Sequence, residues 1–262
     1  MAKIKTIILK EWAEVFKNRF VLFTVIFMPL LFTVLALVLL FLTRAAGAGD
    51  ISGPAPDALF RACPEGLTAE ECMQIYFVSQ FMLLFMMSPL IIPVNIAAYS
   101  IVGEKTTRSL EPLLATPITT IELLTGKNLA AVIPAILATW GSFLLYALGA
   151  NLLIDNPKVI AALFDPKWWL AIAVVGPLLS ILSVNFSLMV SSRVNDPRVA
   201  EQLSAVVILP LLLLFFSQLA GWVFLNLQLV LILALALVLL DALMIGLAIR
   251  LFQRETILTR WR

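Results

Sequence analysis

The chain has 262 residues, 62% hydrophobic and 13% charged, with a net charge of +2 and no histidine. An average soluble domain carries roughly 25% charged residues, so a mean hydropathy of +1.04 excludes a water-soluble globular protein, a disordered chain and a nucleic-acid binder. Without histidine there is no common general base or metal ligand, and two cysteines cannot complete a four-ligand zinc site; no metal site is expected.

Residues 3–19 read as an amphipathic helix. Ile4, Ile8, Trp12, Val15 and Phe16 recur at helical spacing. Lys3, Lys10, Glu14 and Lys17 fall opposite, while Lys5 and Glu11 blur the stripe. Such a helix lies in the headgroup plane. It either anchors the first span or also touches a cytoplasmic partner. No cleavable signal peptide is expected, because residues 1–19 are too polar for an apolar signal core.

A spanning helix needs about 20 apolar residues. Six runs qualify: 20–43, 77–102, 128–150, 169–192, 202–225 and 229–249. The fold class predicted is an all-α integral membrane protein: the interfacial helix 1–19, then a six-helix transmembrane domain over 20–262. The Lys and Arg residues divide 14 to 4 between the two sides, which puts both termini in the cytoplasm. The outer loop 44–76 is rich in Gly, Pro and acids and holds Cys63 and Cys72. They fall on the oxidising side with eight residues between them, and are expected to form a disulfide bracing a small extracellular cap.

The inner loop 103–127 is the most informative stretch. A charged, Thr-rich element ends at Thr116-Pro117, where the proline disfavours helix in the residue before it. Thr119 and Glu122 then form a capping box that restarts a helix running into the third span. Leu110, Leu113, Leu114 and Ile118 give the element an apolar side. Exposed in water, that side wants a protein partner; alternatively, the leucines dip into the bilayer surface.

Residues 103–127 resemble the cytoplasmic signature of the ABC-2 family of ABC-transporter permeases. The residues carrying the resemblance are Glu104-Lys105, Ser109-Leu110-Glu111, Leu113-Leu114, Thr116-Pro117 and Gly126-Lys127. Thr106 stands where the family has a second acid, and Arg108-Ser109 where it has Gly-Thr. The resemblance implies the membrane subunit of an ATP-driven exporter, paired with a second permease subunit and docked on separate ATP-binding subunits. It makes 103–127 the coupling segment, with Glu104, Lys105, Arg108, Leu110, Glu111, Leu113, Leu114, Thr116 and Pro117 at the ATPase contact. No phosphate-cradling G-x-x-x-x-G-K-[ST] run occurs in the chain. ATP and magnesium therefore belong to the partner, and no cofactor and no enzyme activity are expected here.

Within the spans, Asp241 is the only charged residue. An intramembrane carboxylate is costly and usually faces a cavity or a partner: it is a cation or proton site, a hydrogen bond to a neighbouring helix, or a chance exposure toward water. Gln80, Asn95, Asn185 and Gln218 are further buried polar candidates, read as interhelical bonds. Pro89, Pro93, Pro134, Pro177 and Pro210 should kink or break their spans. The last two spans are expected to form a tight pair with a short, partly embedded outer connection. A secondary transporter or channel without ATP is the competing class, and it would need more intramembrane charge than Asp241 and inverted repeats.

Overall fold

The structure, a computed structural model, describes residues 2–17, 19–46, 66–106 and 118–251. Among these residues all regular structure is helical. Helix α1 (Ala2–Val15) precedes α2 (Arg19–Ala46), α3 (Ala69–Thr106) and α4 (Thr120–Leu153). Two short helices follow, α5 (Pro157–Leu163) and α6 (Pro166–Leu170). A π-helical turn (Ala171–Val175) joins α6 to α7 (Gly176–Arg193). Next come α8 (Pro197–Ser204), a 3₁₀ turn (Ala205–Ile208), α9 (Leu209–Leu219) and α10 (Leu227–Leu251).

Six helical stretches are long and apolar enough to cross a membrane: Val21–Ala45, Ala69–Glu104, Thr120–Leu153, Pro157–Arg193, Pro197–Leu219 and Leu227–Leu251. The chain is an all-α, multi-pass membrane protein.

Local chemistry explains where the helices begin. Thr119 accepts from the Glu122 N–H at 3.2 Å, and the Glu122 carboxylate accepts from the Thr119 N–H at 2.9 Å, the expected capping box. Thr68 and Glu71 do the same at the start of α3. Asn156-Pro157, Asp165-Pro166 and Asp196-Pro197 each place a capping side chain before a proline at the first helical position.

Helix α3 is the central element. In its most apolar stretch 83% of residues are buried, against 28% for α2, 17% for the α8–α9 span and 22% for α10. It packs against α2, α4, α7, α8 and α9. Phe85 of α3, Phe143 and Tyr146 of α4 and Trp168 of α6 form one aromatic cluster in the main core.

The in-span prolines do not end α3 or α4, which run on through Pro89, Pro93 and Pro134. A proline deprives the carbonyl four residues back of its donor, and in lipid that carbonyl must find another. Pro93 frees the Pro89 carbonyl, which accepts from Ser180 Oγ at 3.0 Å. Pro134 frees the Ala130 carbonyl, which accepts from Trp12 Nε1 at 2.9 Å. At Pro177 the helix type changes: the Gly176 N–H reaches back five residues to Ala171. That leaves the Ile172 carbonyl to accept from Trp140 Nε1 at 3.2 Å. Before Pro210 the 3₁₀ turn lets Leu209 N–H reach the Val206 carbonyl instead.

Serines stitch α7 to α3. Ser180, Ser183, Ser187 and Ser191 are all fully buried. Ser183 Oγ donates to the Leu90 carbonyl at 2.7 Å. Ser191 Oγ donates to the Ala98 carbonyl at 2.7 Å and accepts from the Val102 N–H at 3.1 Å, so its hydroxyl sits in the ladder of α3. Small side chains at this seam let the two backbones approach closely.

The expected pairing of the last two spans is not found. Helix α9 packs on α3, where Gln218 Nε2 donates to the Ser79 carbonyl at 3.2 Å. Helix α10 packs on α7, α6 and the π turn. Their connection, residues 220–226, contains no helical turn, and Gly221 adopts a left-handed φ of 75° within it. Helix α9 ends at Leu219, six residues earlier than expected, which leaves Trp222 83% exposed.

Candidate functional site

Most of the predicted coupling contact falls outside the described residues: Arg108, Leu110, Glu111, Leu113, Leu114, Thr116 and Pro117. So does Cys63, whose expected partner Cys72 is buried on the first turn of α3. Lys105 lies on the last turn of α3. Glu104, beside it, is buried. What the structure does describe is the two stems of the segment, the end of α3 and the start of α4.

Those stems meet α1 in a buried ionic cluster. Lys127 of α4 is the hub, its side chain only 1% exposed. Its ammonium lies 2.8 Å from Glu11 Oε1 of α1, 3.1 Å from Glu104 Oε1 of α3 and 2.6 Å from Ser100 Oγ of α3. Ser100 in turn donates to Glu11 Oε2 at 2.9 Å. Lys10 donates to the same Glu104 oxygen from the half-exposed rim, and Glu14 stands 3.5 Å from Lys10. Burying charges is costly unless they are paired and hydrogen-bonded. Here each buried carboxylate has an ammonium within hydrogen-bond distance.

Two neighbouring contacts fix how α1 lies. A Cβ at Gly126 would come 2.7 Å from Ile7 Cγ2 and 2.9 Å from Ile7 Cβ, so only glycine permits this approach. One turn further along α1, Trp12 reaches the Ala130 carbonyl that Pro134 leaves free. Residues 126, 127 and 130 of α4 thus receive residues 7, 11 and 12 of α1. The face of α1 turned to protein is centred on Ile7 and Glu11, which are buried; of the predicted apolar stripe, Ile4, Ile8, Trp12 and Val15 are half-buried and Phe16 is exposed.

The electrostatics agree with the geometry. Burial pushes the Glu11 carboxyl up, but the charge and hydrogen bond of Lys127, with Lys10 and Ser100, outweigh it and hold the group below 4.5. Burial likewise lowers Lys10, and the hydrogen bond and charge of Glu104, with Glu11 and Glu14, more than reverse this and raise it above 10.5.

The intramembrane polar residues separate into two groups. Asn185 is buried and accepts from Asn128 Nδ2 at 3.3 Å, across the α4–α7 seam. The pair lines a cavity of about 240 Å³ between α4, α7 and α10, otherwise walled by apolar residues such as Leu124, Val132, Ile181 and Ala248. Asn95 is half-buried beside Glu11 and Ser100. Gln80 and Asp241 are buried, yet neither finds a hydrogen-bond partner among the described residues. The interhelical bonds expected for these two are therefore absent there. Groups of His, Cys, Asp or Glu able to hold a metal ion are also absent among the described residues.

Sequence reasoning placed Glu104 and Lys127 in the motif but missed their partners Glu11, Lys10 and Ser100. One signal was present. Glu11 falls at the edge of the α1 apolar stripe, three residues after Ile8 and four before Val15, where a buried charge implies a counter-charge.

The sequence model of the family described as ABC-2 family transporter protein matches residues 71–238. That match covers both stems, Lys127 and the segment between them. Comparison with curated proteins returned no match.

Proposed function

Because the chain belongs to the ABC-2 family of transporter proteins, we propose that it is the membrane subunit of an ATP-driven exporter. The family is a membrane component of ABC-type transport and works with an ATP-binding subunit. The finer reading is as follows. Two permease subunits pair, as a homodimer or a heterodimer. Each docks on an ATPase subunit through residues 103–127. ATP and magnesium stay on that partner, and the cargo is a lipophilic drug, a lipid, a peptide or an ion. The chain sits in the cell membrane with both termini cytoplasmic, a reading the 14 to 4 distribution of Lys and Arg supports.

The observation that carries this reading is the family match running through the segment between α3 and α4. The stems support it physically. A lever must be stiff where it leaves the membrane, and both stems are helices tied to a third through buried charge.

In this reading Leu110, Leu113 and Leu114 fill a groove on the ATPase, with Arg108 and Glu111 at its rim, where charge sets orientation more than affinity. Each fully buried leucine contributes about 1.5–3 kcal/mol. Changing Leu113 and Leu114 together to Asp should leave membrane insertion intact, abolish transport and release the ATPase. Co-purification from solubilised membranes checks this. Wild-type recovery of the ATPase with the double variant would refute the docking assignment.

A further inference from the structure

We propose that Lys127 is a positioning residue that keys α1 to both stems of the coupling segment, making the three helices one body through which movement of the ATPase reaches the membrane helices. This rests on the coupling reading of residues 103–127.

Three observations carry it. First, Lys127 touches α1 and α3 at once, through Glu11 and Glu104, although it belongs to α4. A group that served only to neutralise one carboxylate would need one partner. Second, the contact is enclosed: Lys127, Glu11 and Glu104 are each at least 96% buried as side chains. Charge pairs so enclosed are geometrically exacting and hold one arrangement, unlike pairs exposed to water. Third, the same face of α1 is fixed on either side of Glu11, by Ile7 packed on Gly126 and Trp12 bonded to Ala130. Three successive points along one helix prevent it from sliding or rolling independently of α4.

The division of work follows. Glu104 and Lys127 bracket the segment, so a push on it acts on the ends of α3 and α4 together. The cluster keeps those ends from splaying and carries the displacement into α1. Helix α1 leads through residues 16–18 into α2, so the first span is driven as well.

The test uses the permease reconstituted with its ATPase subunit in lipid nanodiscs. Two quantities are read: hydrogen exchange across residues 2–15, and ATP turnover of the complex relative to the isolated ATPase. Lys127→Met should raise exchange in α1 at least tenfold and bring ATP turnover down to that of the isolated subunit. The ATPase should still co-purify, since residues 107–117 are unchanged. Lys127→Arg should retain both properties. Glu11→Gln keeps the Lys127–Glu104 pair and so preserves the fold; it should raise α1 exchange while leaving α4 protected, and should lower turnover in part. If Glu11→Gln, or a folded Lys127→Met, left α1 exchange and ATP turnover at wild-type values, the proposal would be overturned. If the wild-type permease bound no ATPase, the coupling reading itself would fail, a distinct result.

Discussion

At the residue scale, Lys127 shows how burial turns an ordinary side chain into a structural element. Its removal would leave Glu11 and Glu104 facing each other with only the half-exposed Lys10 to compensate. Breaking a buried pair costs about 3–5 kcal/mol, because a charge is left uncompensated. The titration behaviour of the cluster gives a sharper prediction. The folded-state pKa of Glu11 is depressed below 4.5, so its contribution is complete above that value and is lost as pH falls through the lower folded pKa. Lys10 is raised above 10.5, so its contribution is complete below that value and is lost as pH rises through the higher folded pKa. Neither Glu11 nor Lys10 should therefore make the docking of α1 depend on pH between 4.5 and 10.5. Amide exchange in residues 2–15, corrected for the intrinsic pH dependence of exchange, measures this. A step in protection near neutral pH would mean that the cluster does not hold its charges as described.

At the scale of elements, the recurring device is a side chain from one helix serving a carbonyl that a proline has freed on another. Ser180 does so for Pro89, Trp140 for Ile172 and Trp12 for Ala130. Each repair also fixes which helices are neighbours. Ser191 goes further, since its hydroxyl both donates to Ala98 and accepts from Val102, the turn of α3 just before Glu104. Ser191→Ala removes both bonds and should cost about 1–3 kcal/mol, read as a lower melting temperature in detergent, with raised exchange at Val102. Ser187→Ala, one turn earlier, removes a buried hydroxyl with no hydrogen-bond partner among the described residues and serves as the control. Equal effects of the two variants would argue against the bridging role. These examples also show what could be read in advance. The number of spans was legible because the length of an apolar run is a property of one strip of sequence. The Thr119 capping box was legible because its partners are three residues apart. Prolines, by contrast, signalled kinks or breaks, yet α3 and α4 run on, because the donors that rescue them, Ser180 and Trp12, lie 91 and 118 positions away in sequence. The pairing of α9 and α10 was inferred from their adjacency in sequence, whereas each finds a better apolar partner elsewhere.

At the scale of the whole molecule, the arrangement is polar from one end to the other. The ionic cluster closes one end of the bundle. At the opposite end, Arg44 pairs with Asp155 at 2.8 Å, and Asn156 donates to Glu71. Between them the exposed faces of α2, α9 and α10 carry leucine, valine and phenylalanine, as lipid requires. Six spans return the chain to the side on which it began, so α1 and the end of α10 share an end, and Ile249 indeed lines the same cavity as Ile121 at the start of α4. In the orientation proposed from the Lys and Arg distribution, that end faces the cytoplasm. The same proposed orientation puts the Arg44 and Glu71 end, which carries Cys72, outside the cell, where the expected disulfide with Cys63 would form readily. Closing so short a loop should contribute about 2–3 kcal/mol. Two measurements check the orientation together. Peptide mapping of non-reduced protein should recover Cys63 and Cys72 as one linked species. In a Cys63→Ser, Cys72→Ser background, Asp57→Cys should react with a membrane-impermeant maleimide on intact cells, and Thr107→Cys only after permeabilisation. Reaction at Thr107→Cys in intact cells would invert the topology and place the coupling segment out of reach of any ATP-driven partner.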